Sequence, residues 1–377
     1  MTDLPPASSR WFQVGGTDVR LLRDGREAFP AMLEEIAAAR REILLEMYWI
    51  GDDPVGVRFR EALAAAARRG VTVKVIYDAV GSMAIGPDFF APIAKAGGQV
   101  YDYHPLFPLS PRFNLQLIDQ RDHRKMLVVD GEMGFTGGIN LAAEWSPREH
   151  GGKGWRDDMI QVRGIATLEL RTLFYKTWRR LAFELGPTDL LPLRRSRSNP
   201  VRVLASQRRS RRSIHAEYVS RIQGARSSID ISNAYFVPDR RVQRALARAA
   251  ERRVRIRILV AERGDVPMVQ FAQEGLYDRL LVKGVELYVH AGPMMHAKTA
   301  IIDEAFVTIG TYNLDERSIR NLEVNIAVED AAFCAWVRGY FEQDVARARR
   351  LDLSTWRDRS LARRGLERVA LALRRFM

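Results

Sequence analysis

The chain has 377 residues, 47% of them hydrophobic, which is enough for two ordinary cores and excludes a largely disordered polypeptide. Its single cysteine, Cys334, excludes an intramolecular disulfide and a cysteine-based metal site. A net charge of +13, with Arg supplying 52 of the 59 basic residues, favours an anionic partner, either nucleic acid or an anionic membrane surface.

In chain order, Met1 to Ser9 lack the basic start and apolar stretch of a signal peptide. No apolar run reaches the roughly 18 residues that would predict a membrane-spanning helix. From Ile36 to Val75 the pattern predicts a helical segment, a short apolar strand at Ile43 to Ile50, a longer amphipathic helix, and an alternating strand at Val71 to Tyr77. The same pattern returns from Ile222 to Ile258, with strands at Ile229 to Val237 and Val254 to Val260. Strand, helix, strand implies parallel neighbours in a sheet covered by helices. The copies are offset by 186 residues here and by 173 at the motifs below, as a duplication with altered loop lengths would give. Two α/β halves are expected, residues 1–190 and 213–377, joined by a basic Pro/Arg-rich linker at 191–212.

An apolar, Pro-rich loop, His104 to Leu115, precedes the first of two identical patterns, His-x-Lys-x-x-x-x-Asp. The first copy is His123, Lys125 and Asp130; the second is His296, Lys298 and Asp303. Met268, Val269, Phe271, Leu276, Met294 and Met295 form an apolar set before the second copy. Each pattern reads as a strand, so its His and Lys share one face, and its Asp opens a turn at the far end. Asp130 and Asp303 are therefore expected to be structural. Each copy continues through a small-residue turn, with Gly138 in the first and Thr311 in the second, to an Asn 17 residues after the His: Asn140 and Asn313. One such triple arises by chance in roughly a few hundredths of chains this long. Two copies within a wider repeat do not arise that way. Paired imidazoles and ammonium groups can attack, hold and release a phosphodiester without a metal or cofactor. The chain closes on Leu361 to Arg375, which reads as a basic amphipathic helix suited to an anionic membrane or to packing on the second half.

These motifs, with NAYFVP at Asn233 to Pro238, WRDD at Trp155 to Asp158 and NLDERSIRNLEVN after the second copy, resemble the phospholipase D superfamily, and within it the bacterial cardiolipin synthases. The resemblance covers nearly the whole chain. It implies two α/β/α halves, each a mixed, mostly parallel sheet, with one active site at their interface that a monomer can complete. It implies His123 as nucleophile through a phosphohistidine and His296 as acid and base, although the near-symmetry of the motifs leaves that order open. Lys125, Lys298, Asn140 and Asn313 would hold the phosphoryl oxygens, and Gly138 and Thr311 would leave room for the phosphate. Glu323 would orient His123, and Asp157, or else Asp158, would orient His296. The activity implied is phosphatidyl transfer that makes cardiolipin from two phosphatidylglycerols, with phospholipid hydrolysis or a nuclease activity as alternatives. Anionic phospholipid and a membrane surface are the expected partners of a cytoplasmic, peripherally bound enzyme. The sequence offers no aromatic platform for a nucleic-acid strand.

Overall fold

The computed structural model describes residues 4–106, 120–182, 199–206 and 213–374. The first half contains strands β1 (Phe12–Val14), β2 (Thr17–Arg23), β3 (Glu42–Met47), β4 (Thr72–Asp78), β5 (Gln99–Tyr103), β6 (Lys125–Val129), β7 (Met133–Gly137) and β8 (Asp158–Gly164). Its helices are α1 (Asp24–Ala38), α2 (Pro54–Arg68), α3 (Ala91–Lys95) and α4 (Ile165–Ala182). The second half contains β9 (Val201–Ser206), β10 (Ser228–Asn233), β11 (Arg255–Ala261), β12 (Glu286–His290), β13 (Lys298–Ile302), β14 (Phe306–Gly310), β15 (Glu323–Glu329) and β16 (Arg349–Arg350). Its helices are α5 (Ser213–Gly224), α6 (Arg240–Glu251), α7 (Pro267–Val282), α8 (Ala331–Ala346), α9 (Leu353–Arg357) and α10 (Leu361–Leu373).

The strands form two eight-stranded mixed sheets, ordered β1-β2-β8-β7-β6-β3-β4-β5 and β16-β12-β11-β10-β13-β14-β15-β9. Seven strands of each share one order: β2, β3, β4, β5, β6, β7 and β8 correspond to β9 through β15. The duplicated βαβ pattern is there, but the expectation of mostly parallel sheets is wrong. Among the named strands, parallel pairing occurs only in β3–β4–β5 and β10–β11–β12. Every other neighbour is antiparallel. The reason is connection length: β6–β7 and β13–β14 are joined by tight turns, and only an antiparallel pair can be joined that way.

The expected linker also needs correction. Residues 191–198 and 207–212 lie outside the described residues, but Val201–Ser206 is a strand of the second sheet, paired along β15. Its arginine content concealed it. Arg202 is buried and ion-paired with Glu217 and Glu329, both at 2.9 Å. The Pro-rich loop beyond residue 106 lies outside the described residues as well.

The two βαβ helices start alike. Asp53 caps α2 by accepting from the N–H groups of Val55 and Gly56, and Asp239 caps α6 by accepting from Arg241 and Val242. One continuous apolar core runs from Ile139 and Ile160 of the first half to Val307, Ile309 and Val324 of the second. Buried charge crosses the same boundary. Asp344 of α8 binds Arg23 and Arg156 of the first half, each at 2.7 Å. Burial alone would raise the Asp344 carboxyl, but Arg156 and Arg23 outweigh it and hold it at about 2. Removing one partner of such a buried cluster strands the others without compensation. Asp344→Asn is expected to cost roughly 3–5 kcal/mol in urea unfolding at neutral pH. Because the folded carboxyl titrates lower than the unfolded one, its contribution is complete above the ordinary carboxylate range. It is lost as pH falls from about 4 toward 2, so the variant's stability should be less pH-dependent in that interval.

Candidate active site

Each motif strand is anchored at the end away from its His. Asp130 and Asp303 sit at φ values of +54° and +53°, a left-handed turn conformation that Asp tolerates by bonding locally. The Asp130 carboxylate accepts from the N–H groups of Arg40, Arg41 and Glu42. The Asp303 carboxylate accepts from those of Arg226, Ser227 and Ser228. The turn after β6 or β13 is thereby tied to the start of β3 or β10. The opposite end of the strand, bearing Lys125 or Lys298 and the His two residues earlier, projects toward the other half.

There the two halves are stitched by backbone. The N–H of His123 donates to Leu322 O and the N–H of Leu322 to Arg121 O, both at 3.0 Å. In the mirror arrangement, the N–H of His296 donates to Arg156 O at 2.7 Å and the N–H of Arg156 to Met294 O at 2.9 Å. Leu322 immediately precedes Glu323, and Arg156 immediately precedes Asp157. Each His is thus held beside the carboxylate of the opposite half. His123 Nδ1 lies 3.0 Å from Glu323, and His296 Nδ1 lies 2.8 Å from Asp157. Asp158 does not reach His296; it binds Arg156 at 2.7 Å and accepts from the Thr299 hydroxyl at 2.6 Å. Both imidazoles open into one cavity of about 220 Å³, which Asn140 and Asn313 also line.

Gly138 and Thr311 serve these carboxylates, which corrects the expectation that they make room for phosphate. A Cβ on Gly138 would stand 2.1 Å from Asp157 Oδ1, so only glycine admits that carboxylate. The Thr311 hydroxyl donates to Glu323. Trp145 Nε1 adds a 2.8 Å bond to Asp157. The second apolar set divides. Val269 lines the cavity, Met268 is exposed, and Leu276, Met294 and Met295 are buried.

Burial dominates the electrostatics. It brings Lys125, which is fully buried, down to about 7 and Lys298 to about 8. His123 is pushed well below its ordinary range by burial and then by the two lysines. His296 is lowered by burial and Lys298, partly offset by Asp157. The carboxylates diverge. Burial raises Glu323 well above the usual carboxylate range despite Lys125 and Thr311. For Asp157, burial is outweighed by the hydrogen bond and charge of His296, and the group is lowered.

Two halves, two His-Lys pairs and one shared cavity define a narrow class of proteins. The chain matches the family described as "Cardiolipin synthase, PLD-like domain" over residues 32–147 and 218–345. It belongs to that family. Among its relatives, the probable cardiolipin synthase YwiE of Bacillus subtilis is 30% identical, the match covering 94% of this chain and 71% of that protein. The cardiolipin synthase of Halalkalibacterium halodurans is 32% identical, with 93% and 70% covered. The fold is that of the phosphatidylserine synthase of Haemophilus influenzae, at a TM-score of 0.72 and 14% identity, covering 98% and 96% of the two chains.

Sequence reasoning missed the aromatic walls of this cavity. Tyr48 meets His123 edge-on at 4.8 Å between ring centroids, and Tyr235 meets His296 at 6.0 Å. Trp145 and Trp155 flank His296 at 5.3 and 5.8 Å. The two tyrosines follow β3 and β10 but are one position apart in the repeat, since Met47 and Asn233 are the residues paired with Lys125 and Lys298, so the repeat did not mark them as a pair. Gly138→Ala should displace Asp157 from His296. A loss of roughly 100-fold in turnover is expected, checked against the folded fraction by circular dichroism, which should fall far less.

Proposed function

We propose that this chain transfers a phosphatidyl group through a phosphohistidine, making cardiolipin from two phosphatidylglycerols with release of glycerol. The observation that carries the reading is the pair of imidazoles opening into one cavity, each backed by a carboxylate from the other half, above two buried lysines. His123 uses Nδ1 toward Glu323, leaving Nε2 to attack phosphorus. The N–P bond forms as the P–O bond to the glycerol headgroup breaks. His296, its Nδ1 on Asp157, gives the departing oxygen a proton. It then takes a proton from the hydroxyl of a second phosphatidylglycerol, whose oxygen attacks phosphorus and frees His123. Lys125 and Lys298 hold the non-bridging oxygens, joined by Asn140 and Asn313. One chain supplies every group, so a monomer suffices.

The reading includes peripheral binding to an anionic membrane at the cytoplasm. No described helix is long and apolar enough to cross a bilayer. Helix α10 packs on α7 through Ala370 and keeps Leu361, Leu366, Val369 and Leu373 between 43% and 81% exposed. Arg364 and Arg368 flank this apolar face, and each basic residue near an anionic surface contributes about 1 kcal/mol. Near its C-terminal end Arg374 binds Glu316 at 3.1 Å, and both line the cavity. Val266 and Met268, at the start of α7, are exposed as well. The apolar face therefore leads to the cavity mouth, where a lipid would enter from the bilayer.

The purified chain, incubated without divalent ions with phosphatidylglycerol vesicles and, separately, with plasmid, should release cardiolipin and glycerol in equal amounts. Phosphatidic acid as the only lipid product would identify a hydrolase. Nicked plasmid with intact lipid would remove the lipid reading. The double variant Leu366→Asp, Val369→Asp should lose most of its flotation with phosphatidylglycerol vesicles while keeping its circular dichroism spectrum. Undiminished flotation would take α10 out of the membrane contact.

A further inference from the structure

The motifs account for the phosphate but leave the alcohol side of the cavity unexplained. Three carboxylates stand in its wall: Asp265, Asp315 and Glu316. Carboxylates repel a phosphodiester and accept from hydroxyl groups, so they suit the alcohol that leaves or enters. Two are engaged already. Asp315 accepts from the N–H of Ser318 at 2.7 Å, and Glu316 binds Arg374. Asp265 differs. Its residue is exposed, its Oδ1 accepts from the Tyr235 hydroxyl, and its Oδ2 accepts from none of the described residues. Tyr235 is the ring that meets His296, so the phenol fixes a carboxylate with a free oxygen on the His296 side of the cavity.

The surrounding charges divide the same way. Among the smaller influences on the imidazoles, Arg317 opposes protonation of His123, whereas Asp265 favours protonation of His296. A further acceptor is at hand: Asn313 is 3% exposed, lines the cavity, and its Oδ1 lacks a partner among the described residues.

We propose that Asp265, positioned by Tyr235, forms a polyol subsite that accepts a hydrogen bond from the hydroxyl next to the reacting one, on both the leaving and the entering alcohol. The inference rests on the phosphatidyl-transfer reading and adds the class of alcohol selected. Glycerol, free or as a phospholipid headgroup, carries that neighbouring hydroxyl. Water and a simple primary alcohol do not. Asp265 exchanges no proton and forms no bond to phosphorus; it orients the diol so that the reacting oxygen faces His296. Tyr235 acts through Asp265 and is a positioning residue.

The test offers the full chain phosphatidylglycerol vesicles with labelled glycerol or 1-propanol as competing acceptors. The readout is the ratio of kcat/KM for transfer to glycerol over transfer to 1-propanol. The wild type should favour glycerol. A hydrogen bond to a charged group corresponds to roughly ten- to hundredfold, and Asp265→Asn should lower the ratio by that factor. Tyr235→Phe should lower it less, and Asp265→Glu should restore part of it. An unchanged ratio in Asp265→Asn overturns the subsite, as does an equal fall for both alcohols, because either shows that Asp265 does not read the second hydroxyl. Transfer with an unchanged ratio leaves the proposed function standing. A wild type that yields only phosphatidic acid with every acceptor overturns both.

Discussion

Two pairs of backbone hydrogen bonds across the boundary between the halves carry the geometry on which the site depends. Each pair joins a motif His, and the residue two before it, to the residue just before the other half's carboxylate. A backbone bond leaves little freedom to the side chains beside it, so the imidazole and carboxylate meet within 3.0 Å without long flexible links. Neither half owns a complete His-carboxylate pair. A shift between the sheets would separate both pairs at once, and the shared core and the Asp344 cluster resist such a shift. The duplication is therefore more than a doubled motif: each copy finishes the other.

The same arrangement breaks the symmetry that the motifs suggest. Asp157 receives Trp145 and His296 and is held below the usual carboxylate range. Glu323, equally buried, is pushed above it. An ionised Asp157 favours a protonated His296, as an acid needs. His123 is lowered by burial and by both lysines, which favours a neutral ring, and a proton on Nδ1 donated to Glu323 leaves the Nε2 lone pair free. His296 and Lys298 lower Asp157 by hydrogen bond and charge, whereas Glu323, despite its bonds from Thr311 and Ser318, also faces the charge of Asp315. The proposed roles, His123 in attack and His296 in proton transfer, fit this difference between the two rings.

What the sequence made legible follows from what periodicity encodes. Alternation and Asp-Gly placed β6, and the matching repeat placed β13, with His and Lys on one face. It could not reveal strand direction, which is why mostly parallel sheets were expected although β7, β8, β14 and β15 pair antiparallel. Arg202 made a strand look like a linker, because a buried, paired arginine and a solvated one read identically in one dimension. Glu323 and Asp157 lie 27 and 34 residues beyond the His of their own motif and act across the boundary, so family likeness alone pointed to them. The fit of Gly138 to Asp157 and the free oxygen of Asp265 are facts of close approach, and no spacing rule contains them.

The buried lysines set the electrostatic cost of the site. Two permanent ammonium charges beside two imidazoles, all out of water, would be expensive to fold. Burial lowers Lys125 and Lys298 to about 7 and 8, so near neutral pH part of that charge can be released. An arriving phosphodiester brings the negative charge that makes protonation favourable again. On the proposed reading, anion binding and proton uptake are then coupled. Arginine could not do this, because its guanidinium stays charged throughout. In a chain whose basic residues are overwhelmingly Arg, lysine at these two positions is the chemically consequential choice.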